Sequence, residues 1–230
     1  MPQEIVTSPA EGVYIFPEFS PAALAAFSTR GFEASRDLPC FLQSLGTDPH
    51  RFATVKQVQG DKIVVASGPL EGIEADALVT QERNLPLMIR TADCAPVFLF
   101  DPVQEAVGIC HAGWQGVQKG IVSRTVETLQ KEFGSKPSSL KVGIGPAIRA
   151  ECYEVGGEFN DYFPGFIQSQ GEKYFFNLVG AVGKQLRDAG VRETAVIDSG
   201  ICTACSVDRF FSARREKDQA GRFISLVMLK

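Results

Sequence analysis

The most constraining feature of this chain is a pair of apolar runs, at 95–100 and 106–110, separated only by 101–105. Two short apolar runs flanking turn-forming residues predict antiparallel strands joined as a hairpin. Because a hairpin brings its ends together, Cys94 and His111 should lie near each other. A loop of two or four residues places them opposite or diagonal on one face, about 5 to 8 Å apart. A three-residue loop would place them on opposite faces.

The rest of the sequence mixes strand and helix patterns without strict alternation. Helical spacing of apolar residues predicts helices at 117–133, 178–189 and 157–167, with Pro164 breaking or ending the last one. Other apolar segments predict strands at 13–16, 24–28, 52–57, 62–66, 87–90, 195–198, 210–212 and 223–228. This pattern indicates an α+β layered fold. No linker-like stretch interrupts the 230 residues, so a single domain over 1–230 is expected.

The net charge and the distribution of apolar residues argue against a nucleic-acid-binding protein and against a membrane-spanning one. A formal net charge of −4 gives no electrostatic reason to expect a nucleic-acid partner. Nowhere do eighteen apolar residues run together, so no membrane-spanning helix is expected. The N-terminal segment 1–5 lacks the basic and apolar regions of a secretion signal. We therefore expect a soluble, cytoplasmic protein.

The six cysteines have irregular spacing, and a core of this size does not need disulfides. We interpret them as reduced. Cys202 and Cys205 match a CxxC pattern, but no second pair follows at zinc-finger spacing. Buried thiols are the favoured interpretation of that pair.

Cys94 and His111 are the strongest candidates for chemistry. A lone cysteine is most often a buried thiol. An imidazole beside a thiol serves either as a zinc co-ligand or as the base of a Cys-His pair. His111 also leads into a glycine-bearing turn, 112–116, that precedes the best predicted helix.

Several other residues could bind a ligand. Gly113 lies in the turn before the helix, where free N–H groups favour an anion; close packing is the equal alternative. Trp114 could stack on a flat ligand or anchor the core. The guanidinium groups of Arg30 and Arg214 suit phosphate or carboxylate, although surface arginines are commonly solvated.

Taken together, eight short segments resemble the multicopper polyphenol oxidoreductase or laccase-like family, whose members include purine nucleoside phosphorylases. The matching segments, in chain order, are 27–30, 57–60, 91–94, 111–114, 143–146, 152–155, 202–203 and 210–215. The resemblance implies a single-domain α/β sandwich, a layered arrangement of mixed β-sheets flanked by helices. It also implies a zinc held by two histidines and one cysteine, with two positions matching His111 and Cys94. Where the family reads Gln-Val-His-Gly, this chain has Gln59 in place of the histidine.

The resemblance implies phosphorolysis of adenosine, inosine or guanosine to the free base and ribose 1-phosphate, with purine nucleoside and phosphate as partners. It extends to methylthioadenosine phosphorolysis and to adenosine deamination by a zinc-bound water. A glutamine amide is a poor zinc donor, so Gln59 predicts weakened zinc binding.

Three alternatives stay open. The first is a metal-independent cysteine hydrolase using Cys94 and His111, and the second is a non-catalytic purine-binding protein. The third, a copper-dependent polyphenol oxidase, is the least favoured. A multicopper centre needs many imidazoles, and this chain contains two histidines.

Overall fold

The computed structural model describes residues 6–7 and 11–230; the segment 1–5, where no secretion signal was expected, lies outside the described residues. The strands are β1 (Val6–Thr7), β2 (Val13–Ile15), β3 (Ala23–Ser28), β4 (Ala53–Thr54), β5 (Ile63–Val65), β6 (Ala77–Thr80), β7 (Leu87–Thr91), β8 (Ala95–Asp101), β9 (Ala106–Ala112), β10 (Lys141–Ile144), β11 (Glu154–Val155), β12 (Ile167–Gln170), β13 (Lys173–Phe176), β14 (Val196–Asp198) and β15 (Phe223–Leu229). The helices are α1 (Leu38–Ser44), α2 (Trp114–Gln118), α3 (Ile121–Phe133), α4 (Phe159–Tyr162), α5 (Leu178–Asp188) and α6 (Ala213–Glu216).

Two six-stranded sheets form the centre of the fold. The first has the strand order β1-β2-β3-β15-β7-β4 and the second β14-β10-β8-β9-β6-β5. Most neighbours are antiparallel, whereas β4 with β7, β5 with β6 and β10 with β14 are parallel. A small antiparallel sheet, β11-β13-β12, is separate from both. The predicted mixed α/β class is confirmed.

The two large sheets pack face to face and carry helices on their outer faces. Phe27 and Ile89 of the first sheet share one core with Phe98 and Ile109 of the second. On the outer side of the second sheet, strand residues pack with apolar residues of α3 and α5. Residues of α1 cover the outer side of the first sheet. Because both faces of β8 and β9 are buried, these strands read as continuous apolar runs and not as alternating ones.

Three predicted elements differ from the structure. The helix predicted at 117–133 is divided into α2 and α3, because Gly120 adopts φ 84° between them. The helix predicted at 157–167 is only the single turn α4 in the structure, and it ends before Pro164, the residue that was expected to break or end it. The strand predicted at 210–212 was wrong, since this segment pairs with no strand and leads directly into α6. Within residues 6–7 and 11–230, no helix is long and apolar enough to cross a membrane.

A substitution at Gly145, just after β10, tests how closely the chain packs against β8 of the second sheet. A Cβ at this position would lie 2.7 Å from Pro96 Cγ and 3.1 Å from Phe98 Cε2. Gly145→Ala should therefore lower the free energy of unfolding by about 1 to 3 kcal/mol, measured by urea denaturation. Gly68→Ala is the matched control, because a Cβ there meets no atom within 4 Å. Equal stability of the two variants would contradict the packing described.

Candidate active site

The β8–β9 hairpin positions the thiol and the imidazole on one face. Asp101 pairs with Ala106, so four residues form the loop, and Pro96 pairs with His111. Cys94 precedes Pro96 by two positions and is therefore diagonal to His111 on the same side of the sheet. The even-loop prediction is confirmed.

A buried aspartate, Asp76, orients the imidazole. Its Oδ1 lies 2.7 Å from His111 Nδ1, and the carboxylate is fully buried just before β6. This contact occupies Nδ1 and leaves Nε2 as the free ring nitrogen, and Cys94 is close enough to the ring to influence its pKa. Burial alone would lower the pKa of His111, but Cys94 and Asp76 outweigh it and raise the pKa to about 9. A carboxylate behind the ring fixes both its orientation and its proton.

Asp76 also shapes the loop that carries Gln59. The backbone N–H groups of Val58, Gln59 and Gly60 donate to its carboxylate oxygens at 3.1, 3.0 and 2.7 Å. Gln59 adopts φ 54°, a left-handed conformation that these bonds help to hold. Its side-chain Oε1 is buried and has no hydrogen-bond partner in the described part of the chain.

Gly113 marks the point where the side chains of Gln59 and Cys94 meet. A Cβ on Gly113 would lie 3.0 Å from Cys94 Sγ and 3.2 Å from Gln59 Oε1. A glycine is therefore required here for close approach. The structure brings Gln59, Cys94 and His111 together.

The donor atoms at this point only partly suit zinc. The Cys94 thiol and His111 Nε2, backed by a carboxylate, match the ligands that zinc prefers. The unpaired Gln59 Oε1 supplies a neutral amide oxygen, a weak zinc donor. The residues therefore provide two strong donors and do not complete a three-ligand zinc site. They fit a multicopper centre even less, because the chain has two histidines in all.

A second buried aspartate, Asp93, anchors the opposite wall. Its carboxylate accepts hydrogen bonds from Thr203 Oγ1 at 2.6 Å, Ser212 Oγ at 3.1 Å and the Arg214 N–H at 2.6 Å. These bonds hold the chain from 203 to 214 against the residue before Cys94. Asp93 itself adopts φ 89°.

A cavity of about 280 Å³ opens between these walls. This volume is near the lower end of the usual range for small-molecule sites. The guanidinium of Arg214 lies over the Tyr153 ring at 5.3 Å, and Trp114 stacks on Tyr162 with ring centroids 6.2 Å apart. The lining residues are Gln59, Ala92, Asp93, Cys94, Trp114, Ile148, Tyr153, Leu178, Ala213 and Arg214.

Two other predicted ligand residues, Arg30 and Gly113, are not among those that line the cavity. The Arg30 guanidinium donates to the Val207 carbonyl at 2.6 Å, lies 3.6 Å from Glu216 and sits over Phe211. Gly113 precedes the five-residue α2, which is too short for a sizeable helix dipole, so close packing accounts for this glycine.

Sequence reasoning missed Asp76 and did not assign a role to Asp93 or Tyr153. The only local signal for Asp76 is an acidic residue directly before the apolar segment of β6. Asp93 stands inside a motif that was singled out for its cysteine. Neither position reveals from sequence alone that its carboxylate is buried among N–H and O–H donors.

Comparison with known proteins places the chain in a family. Residues 34–230 match the family model described as multi-copper polyphenol oxidoreductase laccase. The chain belongs to this family. A purine nucleoside phosphorylase of Aquifex aeolicus is 36% identical over 163 residues, which cover 71% of this chain and 74% of that protein. The purine nucleoside phosphorylase ORF3 of Streptomyces griseus is 36% identical over 195 residues, covering 80% of this chain and 77% of that protein.

Solved structures share the fold over nearly the whole chain. The structure of YlmD from Geobacillus stearothermophilus matches with a TM-score of 0.90 and 25% identity, covering 99% of this chain and 100% of that one. The Bacillus licheniformis hypothetical protein YfiH matches with a TM-score of 0.87 and 27% identity, covering 96% of this chain and 98% of that one. The resemblance stated from the sequence is confirmed at the level of family and fold.

Replacing Asp76 tests its role as an anchor. In Asp76→Asn, either orientation of the amide directs its NH₂ group at a backbone N–H, which then loses its acceptor. We expect the free energy of unfolding to fall by about 1 to 3 kcal/mol, measured by urea denaturation. Glu74→Gln is the control, because Glu74 is an exposed carboxylate paired with Lys56 and should change stability by less than about 1 kcal/mol. Equal effects would refute the anchoring role.

Gln59→His tests the incomplete donor set. A third strong donor should increase zinc affinity by at least about 10-fold, measured by equilibrium dialysis with elemental analysis. Gln59→Leu, which removes the amide oxygen and adds no donor, is the control. The comparison is made in a Cys205→Ser background, which reduces zinc binding by the free thiols of Cys152 and Cys202 outside this site. Unchanged affinity in Gln59→His would show that Gln59 is not part of this donor set.

Proposed function

We propose that this protein is a purine nucleoside phosphorylase that converts adenosine, inosine or guanosine and phosphate into the free base and ribose 1-phosphate. The observation that carries the proposal is the Arg214 guanidinium at the wall of a cavity whose other walls are aromatic side chains and the Cys94 thiol. Relatives that are 36% identical and named purine nucleoside phosphorylases support the same activity.

The cavity walls suit a flat base attached to a sugar. Trp114 and Tyr153 present aromatic surface, and Ile148 and Leu178 present aliphatic surface. Such walls exclude water and bind the apolar faces of a purine. The unpaired Gln59 Oε1 offers an acceptor for an N–H or O–H group of the substrate.

Arg214 is the proposed phosphate ligand. Its backbone is fixed by Asp93, so its side chain starts from a defined position. A guanidinium binds phosphate oxygens through parallel N–H donors. A phosphate held there can attack the anomeric carbon of the ribose as the bond from that carbon to the purine nitrogen breaks.

The departing base carries the electron pair of the broken bond and needs a proton. His111, held in its protonated form by Asp76 and Cys94, places an acidic proton near the cavity wall. The pair of Cys94 and His111 can thus supply that proton and regain it from solvent. No metal ion is needed for this sequence of steps. Adenosine deamination is outside the proposal, because a zinc-activated water requires the donor set that Gln59 leaves incomplete.

A cysteine hydrolase is the second candidate function. The observation in its favour is the order Cys94, His111, Asp76, in which a thiol faces an imidazole that a carboxylate orients. That is the arrangement of an activated nucleophile. A hydrolase would release product without phosphate, whereas a phosphorylase requires it.

The proposed activity is tested with inosine at varied phosphate concentration, following hypoxanthine release. We expect phosphate-dependent turnover, with ribose 1-phosphate formed in equal amount. Arg214→Gln should raise KM for phosphate by about 10-fold or more, because the charged hydrogen bonds are lost. Arg30→Gln is the comparison and should change it by less than about twofold, because the Arg30 guanidinium contacts Val207 and Glu216 instead of the cavity.

Other outcomes separate the alternatives. Product release that is independent of phosphate and lost in Cys94→Ser would favour the hydrolase. Thermal stabilisation by inosine without any turnover would indicate a purine-binding protein. A larger effect in Arg30→Gln than in Arg214→Gln would move the phosphate site away from the cavity.

A further inference from the structure

Three cysteines outside the candidate active site lie together. The Sγ atoms of Cys152, Cys202 and Cys205 are all within 4.8 Å of one another. Cys152 and Cys205 are 53 positions apart in sequence, yet their sulfur atoms are 3.2 Å apart. All three are free thiols, and Cys205 is exposed.

The backbone around these thiols is fixed by hydrogen bonds between two segments. Ala147 forms a β-bridge with Cys202 and accepts the N–H of Thr203 at 3.2 Å. Arg149 Nε donates to the Ile201 carbonyl at 3.2 Å. Cys152 ends a short 3₁₀ turn that begins at Ala150. The three sulfur atoms therefore project from a backbone frame that its own hydrogen bonds hold in place.

We propose that Cys152, Cys202 and Cys205 form a binding site for a thiophilic d¹⁰ cation, with Zn²⁺ as the representative ion, separate from the Cys94 site. Thiolate ligands select such cations over harder ones.

The geometry suits one ion held by three sulfur atoms. With Zn–S bonds of about 2.3 Å, the sulfur atoms of a tetrahedral site are about 3.8 Å apart. The separations here, from 3.2 Å up to 4.8 Å, need only small side-chain rotations to reach that value. The exposed side of Cys205 gives an ion access from solvent and leaves the fourth position to water.

The surroundings of Cys202 already favour a thiolate. Burial would raise the pKa of Cys202, but the nearby backbone N–H groups of Cys205 and Arg149, together with the two neighbouring thiols, outweigh it and lower the pKa. Burial and the other thiols raise the pKa of Cys152 to about 12. A bound cation would displace the protons of the remaining thiols to solvent as it coordinates them.

A cation bound by the three cysteines would connect the two segments that carry Thr203 and Tyr153, both of which contribute to the candidate active site. Thr203, between Cys202 and Cys205, donates to the buried Asp93, and Tyr153, next to Cys152, lines the cavity. Coordination would add a cross-link between the two segments that carry them.

The test titrates the reduced 230-residue chain with Zn²⁺, and in parallel with Co²⁺, under anaerobic conditions. Co²⁺ reports thiolate coordination through near-ultraviolet charge-transfer absorption. We expect Cys94→Ser to keep one tightly bound zinc and the thiolate absorption. Cys205→Ser and Cys152→Ser should each weaken binding by at least about 10-fold. Cys40→Ser, which removes an exposed thiol on α1, is the control and should bind as the native chain does.

Thermal unfolding supplies a second readout. Zinc should raise Tm of the native chain and of Cys94→Ser by more than that of Cys205→Ser, because the stabilisation of the folded state increases with the affinity of its site for the ion. Equal zinc affinity in the native chain and Cys205→Ser would overturn the proposal. A Cys152–Cys205 disulfide, found by peptide mapping of protein kept anaerobic with zinc, would also overturn it.

Discussion

The buried carboxylate of Asp76 is the interaction on which the candidate site depends. It accepts three backbone N–H groups and contacts His111 Nδ1. Burial would raise the pKa of Asp76, but these donors, with His111 foremost, outweigh it and lower the pKa. A buried charge is tolerated only when it is paired and hydrogen-bonded in this way. One carboxylate thus sets the direction of the imidazole and the left-handed conformation of Gln59.

Asp93, on the other side of Cys94, likewise holds a loop in place through hydrogen bonds to its buried carboxylate. It ties the chain from 203 to 214 to the start of β8, and so fixes where Arg214 begins. The walls of the cavity are therefore formed mainly by segments outside the two large β-sheets, which pack beneath them. The β-sheets supply a rigid base, and the two buried aspartates decide how the loops sit on it.

The sequence predicted what depends on local patterns. The hairpin, most strands of the two large sheets, and α5 follow from apolar runs and helical spacing. The helix predicted at 117–133 is divided at Gly120, which has a positive φ. The helix predicted at 157–167 has only one turn before Pro164, the residue at which the sequence already indicated a break. The segment 210–212 looks like a strand because its aromatic residues are buried, although Phe210 packs edge-on against Phe223 without strand pairing.

The sequence by itself determined the family, the mixed α/β class and the closeness of Cys94 to His111, because hairpin register depends on nearby residues. Only the tertiary structure decided which buried carboxylates, Asp76 and Asp93, hold the segments that carry Cys94 and His111. The tertiary structure also places Cys152 next to Cys202 and Cys205, so that the CxxC pair becomes part of a cluster of three thiols, although Cys152 is 53 positions from Cys205 in sequence. Hydrogen bonds and sulfur contacts between distant segments have no period in the sequence. They exist only after the burial of apolar surface has brought those segments together.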